Sequence, residues 1–186
     1  MTTDLTGKLL IAMPSIGDQR FSRSVILVCA HNEDYAMGIV VNKPFGDLSI
    51  PELLEQLDIP MDSDLPSGTI LDGGPVGSDR GFVLHSSDFC CAEATLAIQS
   101  DLCLTATREV LHAIASDDRP RNWTLALGYS GWGPGQLELE LKENAWLVGE
   151  PDWEILFGRD FETKWQRALK GIGVSSGRLQ AAPGRA

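Results

Sequence analysis

Three short apolar runs near the start of the chain alternate with polar turns, and each has the composition of a β-strand. They cover residues 8–13 (KLLIAM), 24–30 (SVILVCA) and 36–42 (AMGIVVN). Aliphatic and β-branched residues bounded by turn residues favour strands. The short polar segment HNEDYA separates the second and third runs. We therefore expect these two strands to form an antiparallel hairpin.

Two later segments carry helical periodicity. In SIPELLEQLDIP, Ser49 and Glu52 have the spacing of a capping box and the leucines fall on one face, which predicts a short helix. In TATREVLHAIAS, residues 105–116, apolar residues recur at helical spacing and predict a second helix. Between them, TIL and RGFVLHS have strand character on either side of a glycine-rich stretch. That stretch is predicted to lie at a strand-loop-strand junction.

The last third of the chain contains both strand-like and helix-like periodicity. NWTLALGYSGWG begins as a strand and then breaks into a turn, whereas GQLELELKENAWLV fits both a strand and a helix, and we favour a helix followed by a strand at AWLV. A final helix is predicted to begin with Asp160 as its N-cap and to stop at Gly171 or Gly173. Residues 175–186 are small and polar, and we predict a disordered tail there.

The order of these elements predicts the fold class. Strands come first and helices then mix with further strands, which is typical of an α+β protein with a largely antiparallel sheet rather than a regular βαβ winding. The chain has 186 residues, of which 43% are hydrophobic, and no internal repeat or linker interrupts it. We therefore predict one domain over residues 1–174.

Charge restricts the possible partners. The 15 Lys and Arg residues are scattered among 26 Asp and Glu residues, and the net charge is −11. Nonspecific binding to nucleic acid or to anionic lipid depends on clustered basic residues, so we predict neither partner. No apolar run approaches the roughly 20 residues that span a bilayer, and the start of the chain lacks the features of a secretory signal. We predict a cytoplasmic protein with reduced thiols at Cys29, Cys90, Cys91 and Cys103.

The glycine-rich stretch GTILDGGPVGSDRGFVLH, residues 68–85, admits two interpretations. It lacks the GK[ST] ending of a phosphate-binding P-loop and the GxGxxG pattern of a dinucleotide site. Glycine is needed wherever the backbone takes a positive φ, so we interpret the stretch as a turn that the fold requires. The alternative is an anion site in which the amides of Gly73 and Gly74 act with the Arg80 guanidinium.

Metal ligands and nucleophiles are few and poorly spaced. Cys29, His31, His85 and the Cys90–Cys91 pair contain no CxxC or HxxxH spacing, so we predict no metal site and no cofactor. GYSGWG is not the GxSxG elbow of α/β hydrolases. A hydrolase would need Cys29 or Ser130 within hydrogen-bonding distance of His31 or His85, and this stays open as an alternative.

Aromatic residues near the turns also have two interpretations. Tyr129, Trp132 and Trp146 are expected to complete the core, because the chain has only 13 aromatic residues. A shallow groove formed by Asn42, Arg80, His85 and Trp132 is the most specific binding hypothesis. The complete set of candidate ligand-binding residues is Asn42, Gly73, Gly74, Arg80, His85 and Trp132.

Four motifs together resemble one known family. They are GKLLIAMPSIGDQRFSRSVILVCAH at the start, MGIVVNKP next, GGPVGSDRGFVLH in the middle and GYSGWGPGQLELELKENAWL later. In this order and spacing, from about Gly7 to Ile172, they make the chain similar to the AlgH/YqgE family of bacterial proteins. The resemblance implies one α+β domain whose bifurcated sheet folds into a pseudo-barrel with flanking helices. It also implies a family without an established biochemical activity.

Three classes of function follow. The family name implies a regulatory link to alginate production in some bacteria, which supplies no mechanism. We favour a non-enzymatic, cytoplasmic binding or regulatory module that acts through a small ligand or a protein partner. A hydrolase with a Cys–His or Ser–His pair is the second hypothesis. A transcriptional regulator that contacts DNA is the third, and the acidic charge together with the lack of a recognisable helix-turn-helix counts against it.

Overall fold

The computed structural model describes residues 3–62 and 68–179. This part of the chain divides into two compact units. The first unit contains residues 3–42 and 131–179, and the second unit contains residues 43–62 and 68–130. The single domain over residues 1–174 stays a prediction.

Ten strands and six helices follow one another along the described residues. The strands are β1 Leu9–Ala12, β2 Val25–His31, β3 Ala36–Val40, β4 Pro44–Ser49, β5 Thr69–Asp72, β6 Val76–Ser86, β7 Thr95–Gln99, β8 Leu102–Thr105, β9 Trp123–Trp132 and β10 Trp146–Gly149. The helices are α1 Ile50–Gln56, α2 Arg108–Ile114, α3 Gln136–Lys142, α4 Trp153–Phe157, α5 Lys164–Gly171 and α6 Ser176–Leu179. A 3₁₀ helix also covers Gln19–Phe21.

Antiparallel strands form the sheet of the first unit. β1 lies between β10 and β2, and β2 continues into the predicted hairpin with β3, which pairs Ile26 with Val40. The strands are almost continuously apolar because most of their side chains are buried. α5 adds a buried stripe of Trp165, Ala168 and Leu169. The core also includes Leu10, Ile26, Val28, Val40, Leu137 and Trp146.

The second unit has a mixed arrangement. β6 pairs antiparallel with both β8 and β9, and β7 pairs antiparallel with β8. β5 runs parallel to β9 and antiparallel to β4. Helices α1 and α2 contribute to its apolar core, which includes Ile50, Leu54, Ile70, Val83, Ile114 and Leu125. The α+β class with a mostly antiparallel sheet is therefore confirmed.

Several predicted elements are confirmed in detail. At the start of α1, the Ser49 hydroxyl accepts a hydrogen bond from the Glu52 amide, and the Glu52 carboxylate accepts one from the Ser49 amide at 2.8 Å. This is the capping box that the spacing predicts. The segment GQLELELKENAWLV, whose apolar pattern fits both a strand and a helix, forms α3 followed by β10, as favoured from the sequence.

The predicted start of the last helix is wrong. The N-cap of α5 is Thr163, not Asp160, because the Asp160 carboxylate accepts a hydrogen bond from the Thr163 hydroxyl at 2.7 Å instead of capping a helical amide. The stop is confirmed, since α5 ends at Gly171 and Gly173 has a φ of +76°. α6 lies inside the predicted disordered tail. Residues 180–186 of that tail lie outside the described residues.

The glycine-rich stretch is mostly strand. β6 begins at Val76 and continues through Gly77 and Gly81, so the turn is confined to residues 73–75 between β5 and β6. A register shift between Val76 and Gly81 interrupts the pairing of β6 with β9. The predicted strand-loop-strand junction is therefore present, but its loop is shorter than the glycine content suggests. None of the helices in the described residues is long and apolar enough to cross a membrane.

Candidate functional site

The turn glycines are explained by the close approach of two backbones. A Cβ atom on Gly73 would collide with the Gly128 carbonyl, and one on Gly74 would collide with the Tyr129 backbone. The Gly73 amide donates to the Leu127 carbonyl at 2.8 Å, and the Gly74 amide donates to the Asp72 carboxylate at 3.3 Å. Both amides therefore already have partners inside the protein. An anion-binding role for Gly73 and Gly74 stays a prediction.

Arg80 and His85 lie on β6 in different environments. Arg80 is exposed, and its guanidinium lies 5.3 Å from the centre of the Phe82 ring. His85 is fully buried, with Nδ1 2.8 Å from the Ser86 carbonyl and Nε2 2.8 Å from the Thr105 hydroxyl. Nδ1–H therefore donates to the carbonyl and Nε2 accepts from the hydroxyl. Burial lowers the pKa of His85, which favours this neutral form.

Asn42 and Trp132 belong to the first unit, where both make internal hydrogen bonds. The Asn42 side chain accepts from the Val25 amide and donates to the Arg23 carbonyl, each at 2.8 Å. Trp132 is buried, and its indole N–H donates to the Glu140 carboxylate at 2.8 Å. The predicted groove therefore takes Asn42 and Trp132 from the first unit and Arg80 and His85 from the second. It stays a prediction.

The candidate nucleophiles hydrogen-bond to backbone carbonyls. Burial raises the pKa of the Cys29 thiol to about 12, and the thiol donates to the Leu27 carbonyl with an S···O distance of 3.6 Å. The buried Ser130 hydroxyl donates to the Gly73 carbonyl at 3.3 Å. A neutral, buried thiol at neutral pH is a poor nucleophile.

His31 is also engaged. Its Nδ1 accepts from the Leu5 amide at 3.1 Å, so Nε2 carries the proton and donates to Glu138 at 2.8 Å. Within each unit, the described residues contain no Cys–His or Ser–His hydrogen bond that would support a hydrolase. They also contain no group of three or more His, Cys, Asp or Glu side chains that could hold a metal ion.

A pocket that the sequence did not predict, partly open to solvent, lies in the second unit. Its volume is about 190 Å³, and its wall consists of side chains from α1, α2, β6 and β9 and their flanking residues. The wall is mostly apolar and includes Leu53, Leu57, Val83, Val110, Leu111 and Leu125. We refer to it as the α1–α2 cavity.

Gly81 leaves part of this cavity open. A Cβ atom built on Gly81 would lie 3.8 Å from the Leu125 side chain and 4.0 Å from the Leu127 side chain, both of which line the cavity. These are ordinary van der Waals distances, and the φ of Gly81 is not positive. Neither backbone conformation nor crowding therefore requires glycine here. Unlike the turn glycines, Gly81 could accept a side chain.

Polar groups border the cavity at the start of α2. The exposed Arg108 donates from its guanidinium to the Leu57 carbonyl at 2.6 Å, which joins α2 to the end of α1. The Thr107 hydroxyl is buried without an aligned hydrogen-bond partner among the described residues. Its proximity to the Glu109 carboxylate lowers the pKa of Glu109. Asp79 completes the polar border.

Comparison with known proteins assigns the family. The model of the AlgH-like family matches residues 9–177, which is most of the chain. The chain belongs to the AlgH-like family. Family members similar to it include the UPF0301 protein of Afipia carboxidovorans, which is 54% identical over 192 residues covering 100% of this chain and 91% of the relative. The UPF0301 protein of Caulobacter vibrioides is 50% identical and covers 98% of this chain and 94% of the relative.

Solved structures of similar proteins support the AlgH-like assignment. The solution structure of the AlgH protein from Pseudomonas aeruginosa matches with a TM-score of 0.78 and 40% identity, covering 100% of this chain and 98% of that one. The crystal structure of DIP2367 from Corynebacterium diphtheriae has a TM-score of 0.72 at 18% identity and covers 91% of this chain and 88% of that one. The second match shows a shared fold alone. The biochemical function of the AlgH-like family is uncharacterised.

Proposed function

We propose that this AlgH-like protein is a non-enzymatic binding module that takes a small, mainly apolar ligand into the α1–α2 cavity. The observation that carries the proposal is Gly81, which lines the pocket and at which a Cβ atom would make only ordinary van der Waals contacts with Leu125 and Leu127. Protein interiors are close-packed, and filling a cavity generally stabilises a fold. A larger residue at position 81 would fill part of the space and should stabilise the fold. A ligand that occupies the space therefore explains the glycine better than stability does.

The size and lining of the cavity restrict the ligand. A volume of about 190 Å³ is smaller than the ~300 Å³ lower limit of common drug-sized pockets. Apolar cavities of about 150 Å³ take up benzene or xenon. The occupant is therefore one small ring or a short aliphatic chain. Asp79 and Arg108 at the border favour a single polar substituent that remains near solvent.

A regulatory role follows from the position of the cavity between two helices. A ligand that contacts both α1 and α2 favours the conformation in which the two helices enclose it. The Arg108 contact with the Leu57 carbonyl already links the helices and would respond to any change in their separation. We propose that the protein acts in the cytoplasm, where ligand occupancy changes the surface that α1 and α2 present to a protein partner.

Xenon and indole test this proposal directly. We expect saturable chemical-shift changes in ¹²⁹Xe NMR with xenon, and an increase in apparent melting temperature with indole, because both probes bind only the folded state. The variant Gly81→Leu should fold and lose both responses, since its side chain would occupy the cavity. Gly17→Ala is the matched control, because a Cβ atom at Gly17 meets nothing within 4 Å.

Two results would contradict the proposal. One is the absence of a xenon response in the natural protein, because an apolar cavity of this volume should admit the gas. The other is an unchanged response in a folded Gly81→Leu variant, which would place the bound probe outside the α1–α2 cavity. Loss of the response in Gly17→Ala would indicate a general effect of substitution.

A further inference from the structure

Arg23, in the first unit, has an unusual backbone conformation. It lies between the 3₁₀ helix and β2, and its φ is +54°. Residues with a Cβ atom rarely adopt this left-handed conformation because the Cβ crowds the carbonyl oxygen. The Arg23 side chain is exposed, so burial does not explain why arginine stands at this position. Such strain persists only where the surrounding structure holds the residue in place.

The Asn42 side chain holds this segment. Its amide group donates to the Arg23 carbonyl and accepts from the Val25 amide, so it binds the backbone on both sides of Ser24. The Ser24 side chain is fully buried, and its hydroxyl has no hydrogen-bond partner among the described residues. Buried polar groups without partners are rare in native proteins and call for an explanation. Two adjacent residues thus carry features that oppose stability.

The Arg23 guanidinium is also held in place. It lies 5.5 Å from the centre of the Trp165 ring, in the geometry of a cation–π contact. Trp165 is itself buried, and its indole N–H donates to the Ala12 carbonyl at 2.9 Å. The ring that supports the guanidinium is therefore fixed to β1. Arg23 is oriented at both ends, by Asn42 at its backbone and by Trp165 at its side chain.

The Arg23 guanidinium has an aromatic contact but no acidic partner in the described part of the chain. Among the salt bridges of the described residues, none involves Arg23, although the chain carries 26 acidic residues. Arg20, in the same segment, pairs with the Asp18 carboxylate at 2.7 Å. The exposed guanidinium is therefore oriented by Trp165 and is not neutralised by a carboxylate of the described residues.

We propose that Arg23 is a binding residue for an oxyanion, either a carboxylate or a phosphate, on a small acidic ligand. The planar guanidinium presents paired N–H donors that match two oxygens of such a group. Because Asn42 and Trp165 already orient the residue, less conformational entropy is lost on binding. The positive φ of Arg23 and the unpaired Ser24 hydroxyl both lower stability, and we attribute them to the backbone conformation that orients the guanidinium for binding. The inference concerns the first unit and does not rest on the α1–α2 cavity.

NMR titration tests this assignment. The Arg23 Nε–Hε and Trp165 indole signals are followed while inorganic phosphate, or in a second arm sodium acetate, replaces chloride at constant ionic strength. We expect saturable shifts of both signals with at least one anion. Saturation by phosphate assigns a phosphate group, and saturation by acetate assigns a carboxylate. Arg23→Asn tolerates a positive φ but lacks the guanidinium, so it should bind at least about tenfold more weakly.

Two further variants make the test specific. Arg23→Lys keeps the charge without the planar fork and should bind with intermediate affinity, and it replaces Arg23→Asn in the test if that variant does not fold. Arg20→Gln removes a cation of the same segment that is already paired, and should leave the affinity unchanged. Shifts that increase linearly with both anions overturn the proposal. Equal affinities of folded Arg23 variants and natural protein, or an equal loss in Arg20→Gln, also overturn it.

Discussion

At the scale of single residues, Asn42 acts as a backbone clamp through both atoms of its amide group. It satisfies the buried Val25 amide and the Arg23 carbonyl, and no other side chain among the described residues bonds to either group. An unsatisfied buried amide costs about 1–3 kcal/mol. Asn42→Ala should therefore lower the free energy of unfolding by about 1–3 kcal/mol, as measured by urea denaturation.

The matched variants for this prediction are Asn42→Asp and Asn32→Ala. Asn42→Asp keeps an acceptor for the Val25 amide and should cost less than Asn42→Ala. Asn32 caps the exposed Asp34 and Tyr35 amides in the turn between β2 and β3, where water can replace the lost hydrogen bonds. An equal loss of stability in Asn42→Ala and Asn32→Ala would contradict the role assigned to Asn42.

Lys164 is a buried cation whose titration should affect stability. Burial lowers its pKa from 10.5 to about 8, although Glu154, Asp152 and Asp160 partly oppose this change, and its ammonium donates to the Val41 carbonyl at 2.9 Å. The unfolded chain therefore holds the proton more tightly than the folded protein. Between about pH 8 and pH 10.5 the contribution of Lys164 to stability rises with pH. Below about pH 8 the buried ammonium is charged, and the destabilisation that its burial causes is fully present.

Lys164→Met isolates this effect. The difference in unfolding free energy between the natural protein and the variant should change by about 1–3 kcal/mol across that interval, in favour of the natural protein at high pH. Other titrating groups contribute to both proteins and cancel in the difference. Urea denaturation at several pH values provides the measurement. A constant difference would show that Lys164 has an ordinary pKa.

At the scale of elements, Glu140 on α3 connects the end of β9 to β10. Its Oε2 accepts the indole N–H of Trp132 at 2.8 Å and that of Trp146 at 2.7 Å, and its Oε1 accepts from Gln136 at 2.9 Å. Glu140→Ala would leave two largely buried donors without an acceptor, at about 1–3 kcal/mol each. We expect a loss of about 2–4 kcal/mol in unfolding free energy.

Glu143→Ala is the control for Glu140→Ala, because Glu143 is exposed at the end of the same helix. Its removal should change stability by less than about 0.5 kcal/mol. Guanidinium chloride denaturation of the two variants measures the difference. If Glu140→Ala and Glu143→Ala lower the free energy of unfolding equally, the carboxylate of Glu140 contributes only to the charge of the helix and does not join the strands.

Elements could be predicted where a local pattern determines them. β1, β2 and β3 are apolar runs between turns, and the start of α1 follows from the spacing of Ser49 and Glu52. β4 was not predicted because its sequence, PFGDLS, contains Pro and Gly and its strand character comes from pairing with β5. β7, β8 and the five-residue α4 are short, so their patterns carry little information.

At the scale of the whole molecule, the candidate sites were harder to predict than the fold. Asn42, His85 and Trp132 can be identified from the sequence as polar or aromatic residues at strand ends. Their partners, however, lie elsewhere in the chain, as Thr105 does for His85. The residues that line the α1–α2 cavity are spread between positions 53 and 127. No short sequence pattern can therefore predict that space remains between them. The proposal for Arg23 depends on its φ, its contact with Trp165 and the buried Ser24 hydroxyl, and none of these is visible in a sequence pattern.

The two indole rings that hydrogen-bond to Glu140 also provide a spectroscopic signal for the first unit. The rings of Trp132 and Trp146 are 6.1 Å apart and nearly perpendicular, at 80°. Chromophores this close couple their electronic transitions, so the pair should give a couplet in the circular dichroism spectrum that disappears when the rings separate. Of the five tryptophans, only Trp123 lies in the second unit. The intrinsic tryptophan fluorescence of this protein should therefore report mainly on the first unit.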